Sequence, residues 1–94
     1  MEIFNQIATK IILEQELVIG PMAWSEAQKV IGLVITTERG SEVRITNLDP
    51  GLAVDQLVGR YERLFGRASH EVCREAVASL IANMKPEEIP ASLR

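Results

Sequence analysis

The sequence predicts a single small α+β domain in which helices, in the order α-α-β-β-α-α, pack on one β-hairpin. Three observations favour this class. Apolar residues recur with a helical period in the first and last thirds of the chain, they alternate with polar residues in the middle, and Gly or Pro stands between the segments. The chain has 94 residues, 47% of them hydrophobic, which suffices for one core and leaves no room for a second domain.

The first third of the chain indicates two helices that meet at Gly20 and Pro21. Residues 2–18 place apolar side chains at the i, i+3, i+4, i+7 spacing of one helical face. Gly favours the end of a helix, and Pro favours the first position of the next. The second helix is expected from Pro21 to Ile31. Its core face is expected to hold Ala23, Trp24, Ala27, Val30 and Ile31, with the indole ring largely buried among the small residues.

The middle of the chain, LVITTERGSEVRIT, changes to an alternating pattern in which β-branched residues flank a Gly at position 40. This pattern predicts a β-hairpin with Gly40 at its turn. A two-stranded ribbon is marginal in water and has two unpaired edges, so a second copy of the chain is expected to cover it. We therefore expect a homodimer, formed either through the hairpin edge or through the helical face of Leu80, Ile81 and Met84.

The second half of the chain predicts two more helices. Asp49 and Pro50 predict the start of the third, because Asp accepts hydrogen bonds from free N–H groups and Pro suits the first helical position. Gly66 predicts its end, and Ser69 is the candidate cap of the fourth helix. The domain is expected to span residues 1–85. Residues 86–94 contain two prolines, which predicts an extended or disordered tail.

The composition disfavours several classes of function. Ten basic residues against thirteen acidic ones give a net charge of −3, and aromatic residues make up 4% of the chain, so nucleic-acid binding is disfavoured. The sequence contains no apolar run of the roughly 20 residues that cross a bilayer, and we expect no membrane partner. A single Cys suits a reducing compartment, which predicts a cytoplasmic protein.

The segment SHEVCREA holds the only His and the only Cys of the chain, three positions apart. It begins like the zinc motif HExxH, but Arg74 stands where the second ligand belongs, so no metal site is predicted. Cys73 falls within an apolar helical stripe and is expected in the core. His70 is expected to be a neutral imidazole at the surface, since a helix start disfavours positive charge.

Arginines suggest one further site near the same segment. Arg60, Arg63 and Arg67 would share one side of a helix if the third helix continued through Gly66. Nearby carboxylates nearly balance them, so an ion-paired, solvated surface is the favoured interpretation. If the chain binds an anion, the site is expected at the junction of the third and fourth helices, where arginines and the free N–H groups of a helix start converge. The candidate ligand-binding residues there are Arg67, Ser69, His70 and Arg74.

The sequence thus favours a small cytoplasmic homodimeric interaction or regulatory module, with a possible protein partner and without catalytic chemistry of its own. An alternative is a small-molecule, anion-binding protein or enzyme that uses a pocket at the junction of the third and fourth helices. A nucleic-acid binder is the least favoured hypothesis, because the hairpin region carries Glu38 and Glu42 beside Arg39 and Arg44. The sequence predicts no cofactor and no catalytic residue.

Overall fold

Four helices and a two-stranded sheet follow one another in the computed structural model of this protein, which describes residues 3–35 and 43–94. The helices are α1 (Ile3–Ile19), α2 (Met22–Ala27), α3 (Pro50–Phe65) and α4 (Arg67–Ile81). The strands are β1 (Leu33–Ile35) and β2 (Val43–Ile45). Two short 3-10 helices follow α4, at Pro86–Glu88 and Ala91–Leu93. The predicted α+β class and the order α-α-β-β-α-α are confirmed.

Helix α1 lies at the centre of the fold and packs against α2, α3, α4 and β2. Its buried apolar face follows the helical period that the sequence predicts, with Ile7, Ala8, Ile11 and Ile12 fully buried. Each aliphatic side chain removed from water in this way contributes roughly 1.5–3 kcal/mol before entropy is counted. The helix ends where predicted, at Gly20, whose φ of 74° lies in the left-handed region that Gly adopts readily.

Helix α2 is shorter than predicted and ends at Ala27 rather than at Ile31. The N–H groups of Lys29 and Val30 donate to carbonyls only three residues back, so the chain tightens into turns before β1. The indole of Trp24 is buried, as expected, but Ile31 is 84% exposed and was wrongly assigned to the core. The turn is what directs this side chain outward, because it breaks the helical register that the prediction assumed.

Strands β1 and β2 pair antiparallel, with Leu33 opposite Ile45, Val34 opposite Arg44, and Ile35 opposite Val43. Leu33 and Val43 are buried against the helices, whereas the Val34 and Arg44 pair faces away from the core. The predicted turn at Gly40 falls in residues 36–42 and lies outside the described residues.

Helix α3 begins as the sequence predicts. Asp49 is its N-cap and accepts a hydrogen bond from the N–H of Leu52 at 3.2 Å, and Pro50 occupies the first helical position. At the other end of the helix, the buried hydroxyl of Tyr61 donates to the carbonyl of Ala23 at 2.6 Å. This hydrogen bond fixes α3 against α2 and satisfies the one polar atom of a fully buried ring.

The segment at residues 86–94 differs from the extended or disordered tail that was predicted. It forms two 3-10 turns, and Leu93 is buried in the same core cluster as α1 and α3. The N–H and Oγ of Ser92 donate to Oδ1 of Asp55 at 3.0 and 2.6 Å. The two prolines therefore occupy turns and do not prevent ordered structure. Tertiary contacts, which the local sequence does not predict, fix the segment to the core.

None of the helices in the described ranges combines the length and the hydropathy that crossing a bilayer requires.

Candidate functional site

The junction between α3 and α4 is a single residue, Gly66, with φ 90° and ψ −177°. Helix α4 begins at Arg67, three residues earlier than a cap at Ser69 predicts, and Ser69 lies inside its first turn rather than capping it. Gly66 also ends the stripe of arginines proposed from the sequence. Arg60 instead donates from Nε to Oε1 of Glu26 on α2, at 2.8 Å.

Ser69 is buried and belongs to a polar contact that sequence reasoning missed. Its backbone carbonyl accepts a hydrogen bond of 2.8 Å from Nε2 of Gln15, which lies on α1 and is fully buried. The same amide nitrogen lies 3.3 Å from Sγ of Cys73. Gln15 follows Ile11 by four positions and Ile12 by three, so helical spacing alone would have placed it on the buried face.

Cys73 is fully buried, which confirms its predicted place in the core. Burial raises the pKa of its thiol to about 11, and the hydrogen bond from Gln15 only partly opposes that effect. Because nucleophilic attack and metal binding both need the thiolate, this side chain is a packing residue at neutral pH.

His70 is not the isolated surface imidazole that the sequence suggested. Its Nε2 lies 2.6 Å from the carbonyl oxygen of Ser92, and its Nδ1 lies 3.3 Å from Oε1 of Glu62. The Ser92 carbonyl is the largest cause of a raised pKa of His70, and the Glu62 carboxylate adds to it. The helix start alone predicts a lowered pKa for His70, and the shift runs the other way because two acceptors from other elements outweigh it.

The four candidate anion-binding residues have different surroundings. Arg67 is exposed at the first position of α4, and Arg74 is exposed and pairs with Glu71 one turn earlier, at 3.3 Å. Ser69 faces Gln15 in the interior, and both ring nitrogens of His70 face acceptors within the chain. None of the four lines the cleft between α1, α3 and α4 around Met84 or the smaller one between α1 and α4 around Glu75. Anion binding at this junction stays a prediction.

Glu26 is a second buried polar group, on α2. Its carboxylate accepts from Lys29 at 3.1 Å and from Arg60 at 2.8 Å. The hydrogen bond from Lys29 is the largest cause of the lowered pKa of Glu26, and Arg60 acts in the same direction. This arrangement keeps the carboxylate charged and links α2 to α3, which is a structural role.

The two edges of the hairpin differ. The hydrogen bond from the N–H of Thr46 to the carbonyl of Gly32, at 2.8 Å, makes these two residues a hydrogen-bonded pair. In an antiparallel ladder, hydrogen-bonded pairs alternate with pairs that do not bond each other. Ile45 on β2 and Ile35 on β1 belong to pairs of the second kind, so their N–H groups point away from the partner strand. The N–H of Ile45 is bound by Oδ1 of Asn5 on α1, at 2.9 Å. Helix α1 thus covers the outer edge of β2. Among residues 3–35 and 43–94, no helix packs closely on the outer edge of β1, which we call the open edge.

Exposed apolar side chains lie on β1 and at the corner of the sheet where β1 begins and the chain leaves β2. Val34, in the middle of β1, is 41% exposed, and Leu48, which follows β2, is fully exposed. Gly32 approaches Asn47 so closely that a Cβ atom on it would lie 2.7 Å from the Asn47 Cβ. This close approach brings the exposed Ile31 and Leu48, the chain neighbours of that pair, to the same corner of the sheet.

The other dimer surface suggested by the sequence is partly occupied within the chain. Leu80, Ile81 and Met84 are partly buried and pack against the hydrophobic core. The remaining exposed area of Leu80 and Met84 lines a cleft beside the 3-10 helices. The edge of β1 is therefore the more accessible of the two predicted interfaces.

Among residues 3–35 and 43–94, the structure brings no three His, Cys, Asp or Glu side chains together in a group that could hold a metal ion. The chain matches no protein-family model. Comparison with curated proteins and with solved structures gives no significant match.

Proposed function

We propose that this protein is a small cytoplasmic interaction module that acts as a homodimer and has no catalytic chemistry of its own. The observation that carries the proposal is the asymmetry of the hairpin. Asn5 binds the outward N–H of Ile45 on β2, while the outward N–H of Ile35 on β1 points to the open edge of the sheet.

Pairing of two β1 edges about a twofold axis converts two marginal hairpins into one four-stranded antiparallel sheet. Strand addition of this kind satisfies backbone groups on both copies at once. Val34 on β1 and Ile31 just before it supply exposed apolar area on the strand that forms this edge, which such pairing would remove from water. The single Cys of the chain suits a reducing compartment, because it rules out an intrachain disulfide framework.

The oligomeric state tests the proposal. Sedimentation equilibrium of the full chain is expected to give a dimer in the micromolar range. The substitution Val34→Lys places a charge at the centre of the edge, and we expect it to weaken the dimer at least about tenfold, because lysines block edge pairing in natural sheets. Leu64→Lys is the matched control, since Leu64 is 48% exposed on α3, on a different element from the edge.

Hydrogen exchange locates the interface. The amide of Ile35 is expected to exchange more slowly as protein concentration rises, and this protection is expected to disappear in the Val34→Lys variant. A chain that stays monomeric at high micromolar concentration would contradict the proposal. So would a dimer that Val34→Lys leaves intact while the exchange of Ile35 does not depend on concentration.

A further inference from the structure

A cleft of about 820 Å³ lies between the N-terminal end of α1, the N-terminal turn of α3, the C-terminal end of α4 and the two 3-10 helices. Its volume falls within the range of roughly 300–1,000 Å³ that is typical of ligand sites. Apolar side chains from α1, α3, α4 and the segment that follows α4 line it: Ile3, Phe4, Leu52, Leu80, Met84 and Ile89. Leu52 is the exposed large apolar residue of this lining, with 47% of its surface open to solvent.

The charged groups around this cleft are mainly acidic. Asp49, Asp55, Glu87 and Glu88 contribute carboxylates, and Arg94 contributes the one guanidinium of the lining. Together these groups give the lining a formal charge of −3. The carbonyl groups at the C-terminal end of α4 add partial negative charge near Asn83 and Met84.

The positive end of the α3 helix dipole does not cancel the negative charge of this lining. Asp49 already accepts from the N–H of Leu52, and its charge opposes the positive end of the helix dipole. Arg94 donates from Nε to the carbonyl of Ile89. Asp55 accepts from Ser92, and Glu88 accepts from the N–H of Lys85. These partners are all neutral, so the formal charges of the lining remain. An apolar floor with an acidic rim is therefore the net character of the cleft.

We propose that this cleft binds a basic amphipathic helix of a partner protein. The apolar face of such a helix fits the floor, and its Lys or Arg side chains meet the carboxylates at the rim. The cleft is partly open to solvent, which suits a helix that buries one face and leaves the other in water. This inference rests on the proposed role as an interaction module but not on the homodimer, because the cleft and the β1 edge lie on different elements.

A designed peptide tests the proposal on the full chain. The probe is a fluorescein-labelled helix of about 14 residues, or ~4 turns, with Leu at the i, i+3, i+4, i+7 positions and Lys elsewhere. We expect saturable binding by fluorescence anisotropy, with affinity that falls as salt rises. In amide NMR spectra, the shifts on titration are expected to concentrate at the lining residues of α3, α4 and the 3-10 helices.

Two variants with matched controls distinguish binding in the cleft from nonspecific attraction between the basic peptide and the acidic protein. Leu52→Asn is expected to lower affinity about tenfold by removing apolar contact area, whereas Leu64→Asn, at a nearly equal exposure of 48%, leaves it unchanged. Glu87→Lys is expected to lower affinity more than Glu75→Lys does. Both changes raise the net charge equally, but only Glu87 lines this cleft.

Other outcomes would overturn the proposal. They are equal binding of a peptide with the same composition in scrambled order, equal binding after Leu52→Asn, and NMR shifts confined to the hairpin. Binding of a long-chain alkylamine without binding of the peptide would assign the cleft to small molecules instead. The titration is repeated on Val34→Lys: peptide binding by that variant separates the cleft from dimer formation, so either proposal can fail without the other.

Discussion

The imidazole Nε2 of His70 lies 2.6 Å from the backbone carbonyl oxygen of Ser92, and this contact joins α4 to the C-terminal 3-10 turn. Ser92 is held from its other side by Asp55 of α3, and Nδ1 of His70 faces Glu62, also of α3. Glu71 on α4 adds a further negative charge near the ring. Ser92, in the segment that the sequence predicts as an extended or disordered tail, is thus bound by one ionisable side chain from α3 and one from α4.

The first prediction concerns pH. The pKa of His70 is raised in the folded state, so the folded protein binds the proton more tightly than the unfolded chain does. The stabilisation from His70 is therefore complete below the unfolded pKa of about 6.5 and is lost as pH rises through the higher folded pKa. Urea denaturation from pH 6 upward is expected to show this decline.

His70→Gln is the matched control, because Gln keeps an N–H donor for the Ser92 carbonyl but does not titrate in this range. We expect its free energy of unfolding to fall less steeply with pH than that of the wild type. Parallel pH profiles for the two proteins would mean that His70 does not supply the pH dependence.

The second prediction concerns the attachment of the C-terminal segment. Asp55→Ala removes the acceptor of both Ser92 hydrogen bonds, and we expect it to cost about 1–3 kcal/mol and to loosen the segment that buries Leu93. Hydrogen exchange at Ser92 and Leu93 is expected to accelerate. Gln56→Ala, at the exposed neighbouring position, serves as the control; similar acceleration in both variants would contradict the role of Asp55.

The third prediction concerns the buried amide of Gln15. Gln15→Ala leaves a cavity and removes the side-chain donor that the Ser69 carbonyl has in addition to its helical N–H partner, so we expect a loss of about 2–4 kcal/mol in urea denaturation. Gln15→Met keeps the volume, and Oε1 of Gln15 has no partner among the described residues. We therefore expect Gln15→Met to cost less than Gln15→Ala. Equal losses would show that the hydrogen bond to Ser69, rather than packing, dominates at this position.

The fourth prediction concerns thiol reactivity. Because Cys73 is fully buried and the pKa of its thiol is about 11, a disulfide reagent at pH 8 is expected to label the unfolded protein and to leave the folded one almost unmodified. A variant that combines Cys73→Ala with Ala78→Cys moves the thiol to an exposed position of the same helix. It should react in the folded state. Rapid labelling of the native wild type would contradict the inward orientation of Cys73.

The fifth prediction compares one substitution at two glycines. Gly66 has a φ of 90°, a conformation that alanine adopts only with strain, so Gly66→Ala is expected to destabilise the protein by about 1 kcal/mol or more. Gly59 lies within α3, with open space where a Cβ would stand. Gly59→Ala is therefore expected to stabilise by roughly 0.5–1 kcal/mol. Thermal unfolding checks both signs, and destabilisation at both positions would contradict this account.

Where the sequence and the structure agree, the signal is local. The face of α1, the cap formed by Asp49, and the end of α3 before Gly66 depend on periodicity and on residues within a few positions of each other. These features are set by backbone geometry and by apolar burial, which neighbouring residues report directly. The place of Cys73 in the core follows from the same periodicity.

The predictions that failed depend on contacts between distant segments. Ile31 points outward because turns replace the predicted last residues of α2, next to the point where Gly32 approaches Asn47, a residue beyond β2. The raised pKa of His70 depends on a carbonyl 22 residues further along the chain, and the burial of Leu93 depends on α3. No local pattern encodes such contacts, because they exist only after the elements have packed.

The sequence by itself determined the α+β class, the order of the elements, the inward orientation of Cys73 and the cap of α3, since short-range periodicity and turn chemistry specify each of them. Only the tertiary structure decided that α1 covers the β2 edge, that Gln15 binds the Ser69 carbonyl, and that Asp55 and His70 hold Ser92. The physical reason is that hydrogen-bond partners and covered edges depend on which surfaces meet in three dimensions.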